Sequence, residues 1–447
     1  MNILISPQAF KGSISAIEVA NNIEKGIIKA NPNHNIIKLP VADGGDDTLD
    51  TLVKVTKGKI YETKATGPDG KKIKTKWGAL GDNKTAVIEM AKISGLALVD
   101  KNKLKPHTYT TYGMGEVIKE CLDYGFDNFI IGIGGSATND GGLGMAEALG
   151  AILKDKNNNP IKRGIKGLSS LNTIDLKNID KRIHNSSFQI ACDVNNPLYG
   201  SNGATYIFGP QKGFNLEEIE LIDSYMKNYG DLIDSNSKKE ISKHPGSGAA
   251  GGIGSAAIYF LKAKLKSGSA IILDYLEFAK HCQNIDLVIT GEGQIDFQTI
   301  NNKAPIAVAR IAKKQHIPVF AICGILGKDY QKVYNKLKRN PDDVKEHIFN
   351  FAVDYYYWSN NNANEVIDID SLMSDMDLLI NQYNMAIADN IDEFNKRADT
   401  LHEQLKLLEN NKNDIDSEKI TQLEYEIDDI DKRKNKIYEI SKVAIII

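Results

Sequence analysis

The sequence predicts an α/β protein with a largely parallel sheet. Short apolar runs alternate with helix-periodic stretches along most of the chain, which is the rhythm of βαβ units. The first unit consists of an apolar run at 2–6, an amphipathic stretch from about Ile14 to Lys29 and a second run at 35–41. These runs end in glycine or polar residues. Because ligands of parallel α/β sheets bind beyond the carboxyl ends of strands, functional residues are expected in these loops.

Four further apolar runs repeat this arrangement, and two other segments depart from it. The runs are TAVIEMA (85–91), NFIIGIG (128–134), DLVITGEG (286–293) and IPVFAICG (317–324). Residues 62–82 alternate polar and apolar side chains around Pro68-Asp69-Gly70, which predicts an antiparallel hairpin and a domain boundary. Residues 229–254 are rich in loop formers and form a second boundary candidate. If both are boundaries, the middle of the chain is an inserted domain.

The composition excludes several classes of protein. A chain of 447 residues is long enough for two domains, or for one domain with an appendage. Its 55 Lys and Arg residues against 58 Asp and Glu give a net charge of −3, which offers no broad basic surface to a nucleic acid or an anionic membrane. No stretch reaches the ~18 apolar residues of a membrane span, and the N-terminal run lacks an export leader. We expect a cytoplasmic protein whose isolated cysteines are reduced.

The densest ligand-binding signal is the segment GIGGSATNDGG (132–142), here called the glycine loop. It follows an apolar run and precedes a helical pattern, so its amides and the helix N-terminus can bind phosphate oxygens. A tight turn without a ligand is the alternative. Gly132, Gly134 and Ala137 also fit the dinucleotide fingerprint G-x-G-x-x-A, with Asp155 at the distance of a ribose-binding acid. The sequence contains no Walker loop.

Charged residues gather at other predicted strand ends. VADGGDD (41–47) places carboxylates beside a Gly-Gly turn, where they could bind magnesium or accept a proton, although Asx-turn chemistry explains Asp-Gly-Gly as well. The same roles are open for Asp193, which precedes a turn. The mixture of acids and bases after the run at 286–293 suits a polyanion with its metal, with solvated ion pairs as the alternative. Its members are Glu292, Asp296, Lys303 and Arg310.

Two short motifs add basic residues. In FKGS (10–13), Lys11 could reach an anion and Ser13 could cap the following helix. FGPQKG (208–213) places Lys212 in a second glycine-bounded loop. The eight histidines form no pair with metal-ligand spacing, so a histidine-based metal site or catalytic triad has no support.

From about Leu378 the sequence changes to a long helical periodicity. Apolar residues recur in steps of four and three from Ile387 to Leu408, and a second series runs from Ile420 to Ile437. The break between them, NNKNDIDS, predicts a coiled-coil-like helical hairpin. Its apolar seams favour packing against each other or against a second copy of the chain over binding to a different protein.

Taken together, the motifs resemble those of the bacterial glycerate kinase family, the type that lacks a P-loop. The resemblance implies a flavodoxin-like, doubly wound parallel-sheet domain with a second α/β domain inserted in it. We place the first domain at 1–64 and 283–397, the inserted domain at 65–282 and the helical extension at 398–447. In the family's order, the matching motifs are FKGS, VADGGD, TAVIEMA, TTYGMGE (110–116), GIGGSATNDGG, ACDVNNPL (191–198), FGPQKG, GAAGGIG (248–254), TGEGQID and NKAPIAVAR (302–310).

The resemblance also implies an activity, which is the phosphorylation of D-glycerate by ATP with Mg²⁺. In this branch of the family we expect transfer to the 2-hydroxyl, giving 2-phosphoglycerate and ADP. Phosphoryl transfer needs positioning and charge neutralisation more than covalent help, which suits glycine loops, carboxylates and lysines. A homodimer through the C-terminal helices is a further expectation, and nucleic-acid or membrane partners are not expected.

The matched motifs assign a role to each candidate residue. The catalytic candidates are Lys11, Asp43 and Asp193, with the base and the metal ligand not distinguished between the two aspartates. The candidates for binding glycerate are Lys11, Ser13 and Arg310. The candidates for binding magnesium are Asp193, Glu292 and Asp296. The candidates for binding the ATP phosphates are Gly134, Gly135, Ser136, Thr138 and Lys303.

Two positions depart from the family pattern, and two other functions stay open. Gln8 stands where a carboxylate is frequent, and Asp46 stands in a motif that commonly reads ADGGEGT. One alternative is an NAD(P)-dependent oxidoreductase of a small hydroxy acid, which predicts binding of a nicotinamide cofactor. The other is a non-catalytic ligand sensor with a coiled-coil output, which predicts binding without turnover.

Overall fold

The described part of the chain contains two six-stranded sheets and one two-stranded sheet, with helices between the strands. The computed structural model describes residues 1–10, 13–45, 47–100, 102–296, 299, 303–327, 348–350, 399–403 and 444–446. No helix among these residues combines the length and the hydropathy that crossing a membrane requires.

The secondary structure alternates between strands and helices, as the sequence predicts. In chain order the strands are β1 (Asn2–Pro7), β2 (Asn35–Lys38), β3 (Lys59–Thr66), β4 (Lys72–Ala79), β5 (Thr85–Glu89), β6 (Asn128–Gly132), β7 (Ile152–Lys154), β8 (Thr173–Asp175), β9 (Ser187–Ala191), β10 (Lys264–Lys266), β11 (Leu287–Ile295), β12 (Val319–Leu326), β13 (Ile348–Asn350) and β14 (Ala444–Ile446). The helices are α1 (Ala16–Ala30), α2 (Thr48–Val55), α3 (Ala91–Ser94), α4 (Tyr112–Asp123), α5 (Leu143–Ala148), α6 (Ile165–Ser170), α7 (Ala204–Phe208), α8 (Leu216–Ser237), α9 (Ala249–Leu261), α10 (Gly268–Tyr275), α11 (Phe278–His281) and α12 (Ala304–Lys314).

The two large sheets take their strands from different parts of the chain. The first sheet has the order β13-β14-β12-β11-β1-β2, in which β12, β11, β1 and β2 are parallel and β14 joins β12 antiparallel. The second sheet has the order β10-β9-β6-β5-β4-β3, in which β10, β9, β6 and β5 are parallel. The predicted hairpin around Pro68-Asp69-Gly70 is confirmed, because β3 and β4 pair antiparallel on either side of it.

Alternating side chains of the first sheet pack against two layers of helices. Ile3 and Ile5 of β1 form a core with α1 on one face of the sheet. Leu4 points to the opposite face, where it joins a second core with the neighbouring Val288 of β11. That second core contains buried residues of α2, α10, α11 and α12. Helices therefore cover both faces of this sheet, as a doubly wound arrangement requires.

The same middle layer of helices also covers one face of the second sheet. Val87 of β5, Ile130 of β6 and Ala191 of β9 belong to the core that contains Leu4 and Val288 of the first sheet. The opposite face of the second sheet packs against α4, α5, α8 and α9, and Trp77 and Phe129 are among its largest buried side chains. The described fold thus has five layers, in which two sheets share the central layer of helices.

The three expected boundaries can be located relative to the observed elements. The boundary expected at residue 64 falls inside β3, which pairs with β4 in the second sheet. The boundary expected at residue 282 follows α10 and α11, although both helices lie in the shared middle layer. The boundary candidate at 229–254 includes the end of α8 and the start of α9, which pack into one core that contains Tyr229 and Ile253.

The predicted C-terminal helical hairpin lies largely outside the described residues. Residues 399–403 are helical. The expectation of helix up to residue 447 is wrong at 444–446, which form β14 and pair with β12 and β13.

Ser15, and not Ser13, caps α1. The Ser15 hydroxyl accepts a hydrogen bond from the Glu18 amide at 3.3 Å, and the Glu18 carboxylate accepts one from the Ser15 amide at 3.0 Å. This reciprocal capping box satisfies two otherwise unpaired groups at the start of the helix. The expectation that Ser13 caps α1 is wrong, because two residues separate its exposed side chain from the first helical turn.

Replacing Ser15 by alanine should therefore destabilise the protein, whereas replacing Ser13 should not. We expect Ser15→Ala to cost about 1 kcal/mol, the usual value of an N-cap, and Ser13→Ala to change stability by less than about 0.5 kcal/mol. Urea unfolding followed by circular dichroism measures both variants against the parent. Equal unfolding midpoints for the two variants would contradict this assignment of the cap.

Candidate functional site

An acidic turn, defined here as residues 41–45, lies across the strand ends of the second sheet. A Cβ atom on Gly44 would lie 2.3 Å from the Cβ of Ala191 at the end of β9. A Cβ on Gly132, at the end of β6, would lie 2.5 Å from the Gly44 carbonyl oxygen. A Cβ on Gly268, at the start of α10, would lie 1.7 Å from the Asp43 carbonyl oxygen. Glycine at these positions lets the acidic turn touch the glycine loop's strand and α10 directly.

The helix that follows the acidic turn is attached to the end of β5. The Leu49 amide in the first turn of α2 donates to Glu89 Oε1 at 2.7 Å, and the Lys92 ammonium lies 3.0 Å from Glu89 Oε2. Burial raises the pKa of Glu89, while the Leu49 amide and Lys92 oppose that shift. Glu89 is part of the motif TAVIEMA, from which no role was predicted for it. The available signal was a single acid at the end of an otherwise apolar strand.

Asp43 and Asp193 form the acidic centre of the site. Asp43 Oδ1 accepts a hydrogen bond from the Gly45 amide at 3.0 Å, so the expected Asx turn is present. Asp193 Oδ1 accepts one from the Gly268 amide at 3.2 Å. Asp193 is open to solvent on one side, yet the protein packed around it raises its pKa to about 7. The Gly268 amide opposes this shift, and the negative charge of Asp43 adds to it.

Glu292 lies in the second half of β11 and is the third carboxylate of the site. Its Oε1 accepts a hydrogen bond from the Thr299 hydroxyl at 2.7 Å, and its Oε2 lies 3.5 Å from the Lys303 ammonium. Burial raises the pKa of Glu292, Lys303 and Thr299 lower it, and Asp43 raises it. Because Asp43 acts on the pKa of both Asp193 and Glu292, the structure brings these three predicted carboxylates into one electrostatic environment.

The remaining residues of the 292–310 cluster lie around the start of α12. Lys303 is the N-cap residue of α12, and its side chain is 33% exposed. Asp296 is buried and accepts a hydrogen bond from the Gln294 side chain at 2.9 Å. Arg310 is half-buried and lies two turns further along α12. Lys303 is therefore the member of the cluster with a cationic group placed at the site's edge.

The glycine loop presents two exposed glycines above a buried polar stretch. Gly134 and Gly135 are exposed, whereas Ser136 and Thr138 are buried. The loop is tied to the segment after β5, because the Leu96 amide donates to the Gly135 carbonyl at 2.8 Å and the Ala137 amide donates to the Ser94 carbonyl at 2.9 Å. A ligand on the outer side of the loop would therefore first meet the backbone of Gly134 and Gly135.

Two buried ionisable residues were not assigned roles from the sequence: Asp140, which belongs to the glycine loop, and Lys212, which contacts it. Asp140 is buried and accepts hydrogen bonds from the Thr111 amide and hydroxyl, each at 2.9 Å, and from the Gly142 amide at 3.1 Å. Burial raises its pKa, and these donors oppose the shift. The Lys212 ammonium donates to Ser136 Oγ at 3.0 Å and to the Thr138 carbonyl at 2.6 Å.

The N-terminal candidates are partly described. Lys11 and Asp46 lie outside the described residues. Ser13 is exposed, and its amide donates to the Phe10 carbonyl at 2.8 Å. Gln8 follows β1 beside β11, where its amide donates to the Gly291 carbonyl at 2.8 Å. Among the residues that the structure describes, the buried Oε1 atom of Gln8 has no hydrogen-bond partner, as an acceptor that faces a ligand would be.

The position of Asp155 does not fit the role of a ribose-binding acid in a dinucleotide site. Asp155 lies in a reverse turn after β7, where its Oδ1 accepts hydrogen bonds from the Asn157 amide at 2.8 Å and the Asn159 amide at 2.9 Å. A carboxylate committed to its own turn is not presented to a ribose. The strand β7 also belongs to the small two-stranded sheet rather than to the sheet of the glycine loop.

The donor set at the site suits a magnesium ion that arrives with a nucleotide. Within the described residues, no group of three or more His, Cys, Asp or Glu side chains is arranged to hold a metal ion by itself. Magnesium in kinases is usually held by one or two carboxylates together with phosphates and waters. Asp43 and Asp193 supply two such carboxylates. At Glu292 a metal ion would have to displace the Lys303 ammonium or the Thr299 hydroxyl.

Replacing Gly268 by alanine should displace the acidic turn. The new methyl group would overlap the Asp43 carbonyl oxygen, so the backbone there must move, and a shift of about 1 Å at a catalytic group costs on the order of 100-fold in rate. We expect a loss of glycerate-dependent ADP formation of that order, measured by a coupled assay. Gly26→Ala in α1 is the control, because nothing lies within 4 Å of the added Cβ. Parental activity in Gly268→Ala would contradict the tight contact.

Comparisons with known proteins agree with the motifs. The sequence model of the glycerate kinase family matches residues 3–341. The chain is 47% identical to the glycerate 2-kinase of Escherichia coli over 75% of this chain and 88% of that protein. It is 45% identical to the glycerate kinase of Haemophilus influenzae over 75% of this chain and 89% of that protein.

A solved structure shares the same fold. The crystal structure of a candidate glycerate kinase 2 from Salmonella typhimurium LT2 is similar with a TM-score of 0.70 and 42% sequence identity. The similarity covers 75% of this chain and 94% of that chain. The mixed α/β fold with parallel sheets is therefore confirmed. From the family match and these identities, the chain belongs to the glycerate kinase family.

Proposed function

We propose that this protein transfers the γ-phosphoryl group of ATP to the 2-hydroxyl of D-glycerate, forming 2-phosphoglycerate and ADP. The observation that carries the proposal is the contact of the acidic turn with the strand ends of the second sheet, since it sets Asp43 beside the glycine loop. The glycerate 2-kinase name of the relative from Escherichia coli supports the choice of the 2-hydroxyl.

Asp193 is the better candidate for the general base. A base must be deprotonated when it accepts the hydroxyl proton, and it works best when its pKa is near the pH of the reaction. The pKa of Asp193 is raised to about 7, and one side of this residue is open to solvent, where glycerate can approach. Asp43, the other aspartate of the pair, would orient the substrate or the metal ion.

The glycine loop and Lys303 would hold the phosphates. Gly134 and Gly135 are exposed and can direct backbone amides at phosphate oxygens, whereas Ser136 and Thr138 support the loop from within. The exposed part of Lys303 can neutralise the transferred charge, and its contact with Glu292 holds it in place. Ser13, Arg310 and Lys11 remain the candidates for holding the glycerate carboxylate.

Magnesium would be held by Asp43 rather than by Asp193, because a carboxylate that binds the ion is not free to accept the hydroxyl proton. Asp296 is the further candidate for the ion. When bound, the ion would neutralise charge on the phosphates of ATP. Backbone amides of the chain would orient the two carboxylates. The Gly268 amide keeps Asp193 directed at the site, and the Gly45 amide fixes the Asp43 carboxylate.

We also propose a discontinuous two-domain organisation for the chain. The first, flavodoxin-like domain would contain β1, β2, β11 and β12, and the inserted domain would contain β3 to β10. The position of β3 supports a first boundary before Lys59, and the packing of α10 supports a second one near residue 267. A homodimer through the C-terminal helices and a location in the cytoplasm stay predictions from the sequence.

The reaction itself is the first test of this function. We expect ADP formation that requires both D-glycerate and Mg²⁺, with ³¹P NMR identifying 2-phosphoglycerate as the product. ADP formation without glycerate, or a shift in nicotinamide fluorescence on addition of the protein, would contradict the proposal. A 3-phosphoglycerate product would contradict only the choice of hydroxyl.

Replacing Asp193 by asparagine should remove the base. Because general bases contribute about 10²–10⁴-fold, we expect kcat to fall by at least ~100-fold, with the far-ultraviolet circular dichroism of the parent retained. Asp231→Asn is the control, because Asp231 lies on the exposed face of α8 and its side chain is 54% exposed. A variant that turns over at the parental rate would remove Asp193 from this role.

The same assignment fixes the direction of the pH dependence. Protonated Asp193 cannot accept a proton, so the parental kcat/KM, measured with both substrates below saturation, should rise as the pH increases through about 7 and then level off. A profile that is flat between pH 6 and 8 would contradict a base with this pKa.

A further inference from the structure

Lys212 lies inside the protein, directly under the glycine loop. It closes a single 3₁₀ turn, Pro210–Lys212, after α7, and the next residue, Gly213, adopts a left-handed conformation at φ +98° against Leu104. The side chain of Lys212 is among the largest that are fully buried, and its residue is only 1% exposed. The sequence motif FGPQKG places this lysine in a glycine-bounded loop, and its burial prevents direct contact with a ligand on the outer side of the glycine loop.

The ammonium group of Lys212 makes two hydrogen bonds, and both go to the glycine loop. It donates to Ser136 Oγ at 3.0 Å and to the Thr138 carbonyl at 2.6 Å. These acceptors lie immediately after Gly134 and Gly135, the exposed residues of the loop. Lys212 therefore contacts the inner side of the segment whose outer side is open to solvent.

Burying an ammonium group costs free energy, so its retention needs a compensating role or partner. Burial lowers the pKa of Lys212 to about 7, and the charge of buried Asp140 opposes that shift. A neutral amine still has two N–H groups, which equal in number the two acceptors on the loop. Both protonation states can therefore keep the loop in place, and the geometry does not depend on which one is present.

The other contacts of the loop do not replace those of Lys212. Leu96 and Ser94 bond to Gly135 and Ala137 from the side of β5. Asp140 bonds to Thr111, Gly142 and Gly144 at the far end of the loop, beside α5. Ser136 Oγ and the Thr138 carbonyl are contacted from below by Lys212.

We propose that Lys212 is a positioning residue for nucleotide binding: it holds Ser136 and Thr138 so that the amides of Gly134 and Gly135 face the phosphates of ATP. This inference rests on the proposed function, since it assumes that the outer side of the glycine loop binds phosphate. It assigns Lys212 no contact with either substrate. Loss of the Lys212 hydrogen bonds should therefore weaken the binding of ATP and leave the binding of D-glycerate unchanged.

Steady-state kinetics of Lys212→Met test this role. Methionine keeps an unbranched apolar side chain and removes the two hydrogen bonds that Lys212 donates to Ser136 and Thr138. We expect the KM for ATP to rise at least 10-fold while the KM for D-glycerate stays within two-fold of the parent. Lys177→Met is the control for loss of a lysine charge, because that side chain is 86% exposed, and both of its KM values should be parental.

A second variant keeps the test decisive if Lys212→Met does not fold. Ser136→Ala removes one of the two acceptors and leaves the Thr138 carbonyl in place, so a smaller rise of about three-fold in the KM for ATP is expected. Where both variants fold, we also expect a limit for the double variant that carries Lys212→Met and Ser136→Ala. Its KM for ATP should exceed that of Lys212→Met by no more than about 1.5-fold, because the effects of interacting residues do not add.

Each outcome separates the positioning role from the proposed function. Folded variants with a parental KM for ATP, in a parent that phosphorylates glycerate, would overturn the role of Lys212 and leave the kinase function intact. Equal increases in both KM values would also overturn it, because they indicate a general loss of structure. A parent that forms no ADP with glycerate would overturn the kinase function and the inference together.

Discussion

The site depends on one main-chain contact, the approach of the acidic turn to the strand ends of the second sheet. Three segments distant in sequence provide it, and each has glycine at the point where a Cβ would overlap the neighbouring chain. Backbones this close leave no room for a side chain, so the relative position of Asp43 and the glycine loop is set by covalent geometry and van der Waals contact. This contact brings the acidic turn next to the strand that leads into the glycine loop.

Charged groups around the site divide into two sets with different surroundings. Glu89, Asp140 and Lys212 are buried, and their partners are backbone amides, hydroxyls, a carbonyl and, for Glu89, the ammonium group of Lys92. Asp193 and Lys303 keep part of their surface in contact with water. A buried charge with satisfied partners fixes a conformation, whereas a partly solvated one can change partner when a ligand arrives. The first set therefore supports the loops, and the second set is available for chemistry.

Local sequence patterns predicted the strands, the hairpin around Pro68-Asp69-Gly70 and the loops that carry the site, because period and turn chemistry are properties of neighbouring residues. Family motifs then predicted which loops converge. The roles of Ser15, Glu89 and Lys212 were not predicted, since each depends on a distance in space that spacing along the chain does not contain. The expected boundary at residue 64 lies inside β3 for a related reason, because the sheet that a strand joins is decided by its partner rather than by its own composition.

The shared middle layer of helices couples the two halves of the fold thermodynamically. Side chains of α2, α10, α11 and α12 are buried against Leu4 and Val288 on one side and against Val87 and Ile130 on the other. Melting either sheet alone would leave this layer half-solvated, with a large loss of apolar burial. The described halves should consequently denature in a single calorimetric transition, and local opening should be restricted to the loops at the strand ends.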